Sequence, residues 1–94
     1  MNKYSADELF KIAYSHLHRK EFKKSTHLFE RLLNDYPDNL SILRNLSHSY
    51  AFSGIFNKAE KCIKKIIKIK SDEPFASQFL ASVLKKQDKI KEMI

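Results

Sequence analysis

The chain predicts an all-α fold, and three observations carry that expectation. Its 94 residues include one glycine and two prolines, too few for the turns of a strand-rich fold or for a glycine-rich loop. Apolar residues recur at i, i+3, i+4 and i+7, the spacing of one helix face. The whole pattern also returns on itself after 34 positions without a gap. A length of 94 residues suits one small domain and is too short for two. With 43% hydrophobic and 31% charged residues, the balance is that of a globular chain.

The first helix is predicted over 6–18, where Ser5, Ala6, Asp7 and Glu8 have the form of a capping box. Leu9, Ile12, Ala13 and His16 make its apolar stripe. A second helix over 22–36 carries Phe22, Ser25, Leu28, Phe29, Leu32 and Leu33 on one side. Pro37 closes it, because the residue before a proline resists the helical region. Asn39 caps a third helix over 40–53, and Gly54 turns the chain into a fourth over 56–70. Asp72 is a predicted cap and Pro74 an early residue of a fifth helix over 74–87. A stub over 89–94 completes the reading.

The repeat is visible residue by residue. A shift of 34 brings Leu9 onto Leu43, Ala13 onto Ser47, Phe22 onto Phe56, Ser25 onto Ala59, and Phe29 onto Ile63. A second shift brings Leu46 onto Leu80, Ser47 onto Ala81, Tyr50 onto Leu84, and Phe56 onto Ile90. This spacing of large, small and aromatic residues, closed by Pro37, resembles the tetratricopeptide repeat family. The family's usual Trp and first Gly are absent, and Ser71 stands where a second closing proline belongs.

The resemblance implies a right-handed α-solenoid of antiparallel helix pairs, about two and a half repeats in one domain over 1–94. The repeats fall at about 6–39, 40–73 and 74–94, the last one truncated. Small residues at Ala13, Ser47 and Ala81 let neighbouring helices approach closely. Stacked repeats each bury a face they cannot bury alone. The polar helix that usually ends such a stack is missing. The end near Leu80, Leu84, Ile90 and Met93 is therefore expected to be covered, by a partner, by a second copy in a homo-oligomer, or by further residues.

Lys and Arg number 18 against 11 Asp and Glu, a formal charge of +7. That excess favours acidic partners without selecting one. The single cysteine, Cys62, excludes an internal disulfide framework and fits a reducing compartment. The N-terminus has no apolar signal core, and no apolar run reaches the roughly 18 residues of a membrane span. The expectation is a soluble cytoplasmic protein. His16 and His18 point to different sides of one helix, while His27 and His48 have no ligand-spaced partner. Cys62 lies among Lys61, Lys64 and Lys65, which favour a thiolate, yet a structural thiol, at the core edge or exposed, is the preferred reading. No catalytic group, metal or cofactor is expected, and the chain is read as a non-enzyme.

In the tetratricopeptide family the first helix of each pair lines a concave groove that holds peptides. Carried over by position, the resemblance implies a groove formed by Phe10, Tyr14, Leu17, Arg44, Asn45, His48, Phe52, Phe75 and Phe79, with His18 among its neighbours. One subclass clamps a terminal carboxylate through Lys, Asn and Arg. Here Asn45 alone matches, and aromatics occupy the other positions. A row of exposed rings exceeds what a solvated surface tolerates without purpose. It fits an apolar or amphipathic helical segment, with Lys11, Arg44, Lys85 and Lys86 on the rim attracting acidic flanks.

Two functions are weighed. The first is a small chaperone that holds an aggregation-prone helical subunit, alone or together with a co-chaperone. Small tetratricopeptide chaperones of bacterial type III secretion systems are similar in size and in their apolar groove. The alternative is a scaffold or regulatory protein whose basic convex face meets an acidic partner or nucleic acid. That face would carry Lys58, Lys61, Lys64, Lys65, Lys68 and Lys70. Nucleic acid is the less favoured partner, because no exposed aromatics interleave those lysines.

Overall fold

The computed structural model describes residues 4–93. Residues 1–3, at the polar N-terminus, and Ile94, at the end of the predicted stub, lie outside them. Five helices and no strand occur among the described residues: α1 (Ala6–His18), α2 (Phe22–Asp35), α3 (Leu40–Phe52), α4 (Phe56–Ile69) and α5 (Pro74–Met93). Each helix packs on its neighbours in the chain, and the body measures 45 × 29 × 19 Å.

The helix starts follow local chemistry. Ser5 Oγ accepts from the Glu8 amide at 3.2 Å, and the Ser5 amide donates to Glu8 Oε1 at 3.4 Å, closing the capping box. Asn39 Oδ1 accepts from the Ile42 amide at 3.0 Å and opens α3. Asp72, a predicted cap, lies instead in the turn before α5, which starts at Pro74.

The two intra-pair turns repeat the sequence period in hydrogen bonds. After α1, the amides of Lys20 and Glu21 donate to the Leu17 and His16 carbonyls at 3.1 and 2.8 Å. After α3, the amides of Gly54 and Ile55 donate to the Ala51 and Tyr50 carbonyls at 3.1 and 2.8 Å. Both are Schellman closures, which need a left-handed residue just past the helix. Gly54 takes φ 80° at no steric cost, whereas Lys20 takes φ 64° with its Cβ crowded. Lys20 thus closes its turn with the same pair of hydrogen bonds as Gly54.

Small residues set the helix spacing. Ala13, Ser25, Ser47 and Ala59 are all fully buried, around a core that includes Phe29, Leu43, Leu46, Ile63 and Ile66. Between α2 and α3, Ser49 Oγ lies 2.6 Å from both Ser25 Oγ and Thr26 Oγ1, so these buried hydroxyls satisfy one another. Tyr50 is buried too, and its hydroxyl donates to Glu30.

The C-terminal segment departs from expectation. The break predicted between 87 and 89 is absent, and α5 runs unbroken from Pro74 to Met93. No glycine or proline interrupts the segment after Pro74, and its Lys, Gln and Glu residues favour helix. No partner helix folds back on α5 among the described residues. Ala81, predicted as a close-packing position, is consequently exposed. Leu84, Ile90 and Met93 are exposed as well, while Leu80 is half-buried. No helix of the described residues is long and apolar enough to cross a membrane.

Candidate functional site

An aromatic row runs across α1, α3 and α5. On α1, Phe10, Tyr14 and His18 recur at i, i+4 and i+8, one stripe of the helix. The Phe10 and Tyr14 rings stack with centroids 6.3 Å apart, and Tyr14 meets His18 edge-on at 4.4 Å. On α3, Arg44, His48 and Phe52 follow the same spacing. The His48 imidazole is the hub of the second half, lying 5.9 Å from Phe52, 5.2 Å from Phe75 and 4.6 Å from Phe79. Phe75 and Phe79 stack on each other at 5.6 Å. His48 thereby ties α3 to α5.

Between the two halves lies an open cavity of about 740 Å³. It gathers Tyr14, Leu17, Arg44, Asn45, His48 and Phe52, six of the nine residues expected to line the groove. Phe75 and Phe79 adjoin it through His48, whereas Phe10 faces a separate cavity of about 480 Å³ with Asp7, Tyr36 and Ser41. His18, Lys20 and Phe22 complete the wall. Phe22 was assigned to the core stripe of α2, yet its ring packs 5.4 Å from Phe52. Its place at the first position of α2, beside the turn, was the available signal.

The row is less exposed than the sequence implies. Phe52 is 60% exposed and Tyr14 44%, but Phe10, Leu17, Phe75 and Phe79 are half-buried against the core. Two rim charges are also committed elsewhere. Arg44 donates to Glu73 at 3.0 Å, a carboxylate with only 12% of its side chain exposed that also has Lys70 at 3.6 Å. Lys86 stands 5.9 Å over the Phe56 ring at the start of α4. The Asn45 amide donates to the Ser41 carbonyl of its own helix at 2.8 Å.

Titration in the site centres on His48. Burial in the ring stack, reinforced by the nearby Arg44 guanidinium, holds its pKa below the usual imidazole range. Away from the row, the hydrogen bond from His16 at 3.1 Å, with help from Lys24, holds Glu21 below the usual carboxylate range. Cys62 is buried, and desolvation pushes its thiol up to about 11 despite Lys65 nearby. The neighbouring lysines therefore do not make it a reactive thiolate. Among the described residues no group of three His, Cys, Asp or Glu could hold a metal ion.

Compared with known proteins, the chain matches no family model and no curated protein. What can be read of the site therefore rests on its geometry. That geometry offers aromatic faces, one desolvated imidazole and an open apolar trough.

Proposed function

We propose that this chain is a protein-interaction module that holds an apolar or amphipathic helical segment of a partner across α1, α3 and α5. The observation that carries the reading is the aromatic row beside an open cavity of about 740 Å³, with Phe52 and Tyr14 left facing solvent at its edge. Exposed rings on a rigid helical surface supply large contact area at little entropic cost, which is how helix-in-groove recognition obtains its anchors.

The finer reading is a tetratricopeptide-type right-handed solenoid of two helix pairs followed by one unpaired helix. It acts as a small cytoplasmic chaperone for a secretion-system subunit. The 34-residue recurrence of both sequence and turn hydrogen bonds supports the repeat assignment. Leu84, Ile90 and Met93, exposed on α5, support a partner contact there as well.

The rival reading, an acidic partner on the lysine face of α4, has weaker support. Lys64, Lys65 and Lys70 each lie within ion-pair distance of a carboxylate, at 2.7, 3.6 and 3.6 Å. The test is co-expression with the proteins encoded beside this one, followed by size-exclusion chromatography with light scattering. The expected result is a defined complex with a helical neighbour that is lost in Tyr14→Ala/Phe52→Ala and kept in Lys64→Glu/Lys68→Glu. A complex that survives the first pair and is lost in the second overturns the groove reading.

A further inference from the structure

A second cavity, of about 800 Å³, shares no lining residue with the aromatic one. Its wall on α2 carries Lys23, Lys24 and His27, and Lys58 of α4 stands opposite. The floor is apolar in character, formed by the Tyr50 ring and the side chain of Ile55, which is 37% exposed. We infer that this cavity is a docking site for an acidic segment of a protein partner, which inserts one apolar side chain between flanking carboxylates.

Charge complementarity selects that occupant. Lys23 and Lys58 have no carboxylate within ion-pair distance among the described residues, and Lys24 shares the half-buried Glu21, at 3.4 Å, with His16. The one acidic group of the wall, Glu30, already accepts from the Tyr50 hydroxyl. Glu30 keeps its charge, so the wall holds three lysines against one carboxylate, and Lys23 and Lys58 are left without an ion-pair partner among the described residues. The start of α4 adds to the same field, since Ile55 provides no side-chain cap for its first amides. The Lys58 ammonium sits 5.8 Å over the Tyr50 ring, so the cationic rim and the apolar floor are in contact.

A bare phosphate fits this chemistry poorly. The wall has no arginine fork to grip a phosphate, and a phosphate would leave the apolar floor of Tyr50 and Ile55 uncovered. Lysines on flexible stems around an apolar floor suit carboxylates spaced along a peptide with an anchor between them. The site uses none of the aromatic-row residues, so its occupancy is independent of the function proposed above.

The experiment measures fluorescence anisotropy with the full chain and a labelled synthetic peptide, a central Leu-Phe pair flanked by Glu and Asp. We expect binding that weakens about tenfold in Lys23→Glu/Lys58→Glu, a charge reversal at both sides of the rim. Ile55→Ser should weaken it similarly, and Tyr14→Ala/Phe52→Ala should leave it unchanged. Equal binding of the same peptide with Gln and Asn in place of Glu and Asp overturns the proposal. So does equal binding of a Glu-only peptide, which would reveal charge attraction without an anchor. Full displacement of the peptide by inorganic phosphate would identify an anion site instead. Should the charge-reversal variant fail to fold by circular dichroism, amide shifts of the unmodified chain decide. Shifts at Lys23, His27, Ser53 and Ile55 support the site, and shifts confined to Tyr14 and His48 overturn it.

Discussion

The imidazole of His48 lies 4.6 Å from the Phe79 ring with their planes 28° apart, joining α3 to α5 through a titratable group. Burial disfavours its charged form, so its folded pKa is lowered from the ordinary value of about 6.5. Below that value the unfolded chain binds the proton more readily than the folded one. Stability is therefore full above the ordinary value and falls as pH drops toward the lowered folded value. The carboxylates with lowered pKa, Glu21 and Glu60, lose their contribution further down, below the usual carboxylate range. Urea unfolding between about pH 7.5 and about pH 5.5 thus stays above the carboxylate range, and comparison with a His48 variant singles out this imidazole. The midpoint should fall across this window, and His48→Phe should flatten the change. An equal fall in the variant contradicts the assignment.

Exposed and buried rings should behave in opposite ways. Phe52 is 60% exposed and Phe29 is fully buried, touching Phe10 edge-on at 5.6 Å. Phe52→Ala should change stability by no more than about 0.5 kcal/mol. Phe29→Ala should cost about 3–5 kcal/mol, enough to unfold much of a chain this small. Thermal unfolding by circular dichroism checks both, and a large loss from Phe52→Ala would show that the row is structural.

Equivalent positions in the repeat differ in what covers them. Ala13 is fully buried between α1 and α2, while Ala81 is exposed because no helix follows α5 among the described residues. Ala13→Leu should destabilise by about 1–3 kcal/mol or more through overpacking. Ala81→Leu should be neutral in the isolated chain. If that variant instead disrupts a complex, the open face of α5 is where the partner sits.

The two Schellman turns predict a reciprocal pair of substitutions. Lys20 holds φ 64° and Gly54 φ 80°, and nothing lies within 4 Å of a Cβ built on Gly54. Lys20→Gly should gain about 0.5–1 kcal/mol by relieving the left-handed backbone, and Gly54→Lys should lose about as much. Because space is open at Gly54, the cost there is conformational and not steric crowding. Denaturant midpoints of the two variants should move in opposite directions.

Cys62 offers a readout of opening. Its thiol is buried and raised to about 11, so alkylation near neutral pH should be far slower than in the urea-unfolded chain. Comparable rates in both states would place Cys62 at the surface.

Much of the fold was legible in local spacing. The first four helices end within one residue of the spans predicted from capping, apolar period and the single glycine. The family resemblance also singled out Phe10, Tyr14, His48 and Phe52. The structure stacks Phe10 on Tyr14 and His48 on Phe52, and gathers Tyr14, His48 and Phe52 around one cavity. It could not reveal that Glu73, from the turn after α4, captures Arg44, because their partnership spans 29 positions. Nor could it reveal that Phe22 leaves the core stripe to meet Phe52, or that Ser49 anchors a buried hydroxyl cluster.

The sequence by itself determined where helices begin, how they turn and which residues share a face. These follow from interactions within a few positions: hydrogen bonds between residue i and i−4, caps, and a left-handed residue at each turn. Tertiary structure alone decided which faces are covered. Ala13 and Ala81 look the same in the repeat, yet one is buried and the other open, because burial depends on whether a second helix arrives. The lowered pKa of His48 has the same origin, since the desolvation that causes it comes from rings that α3 and α5 bring together only on packing.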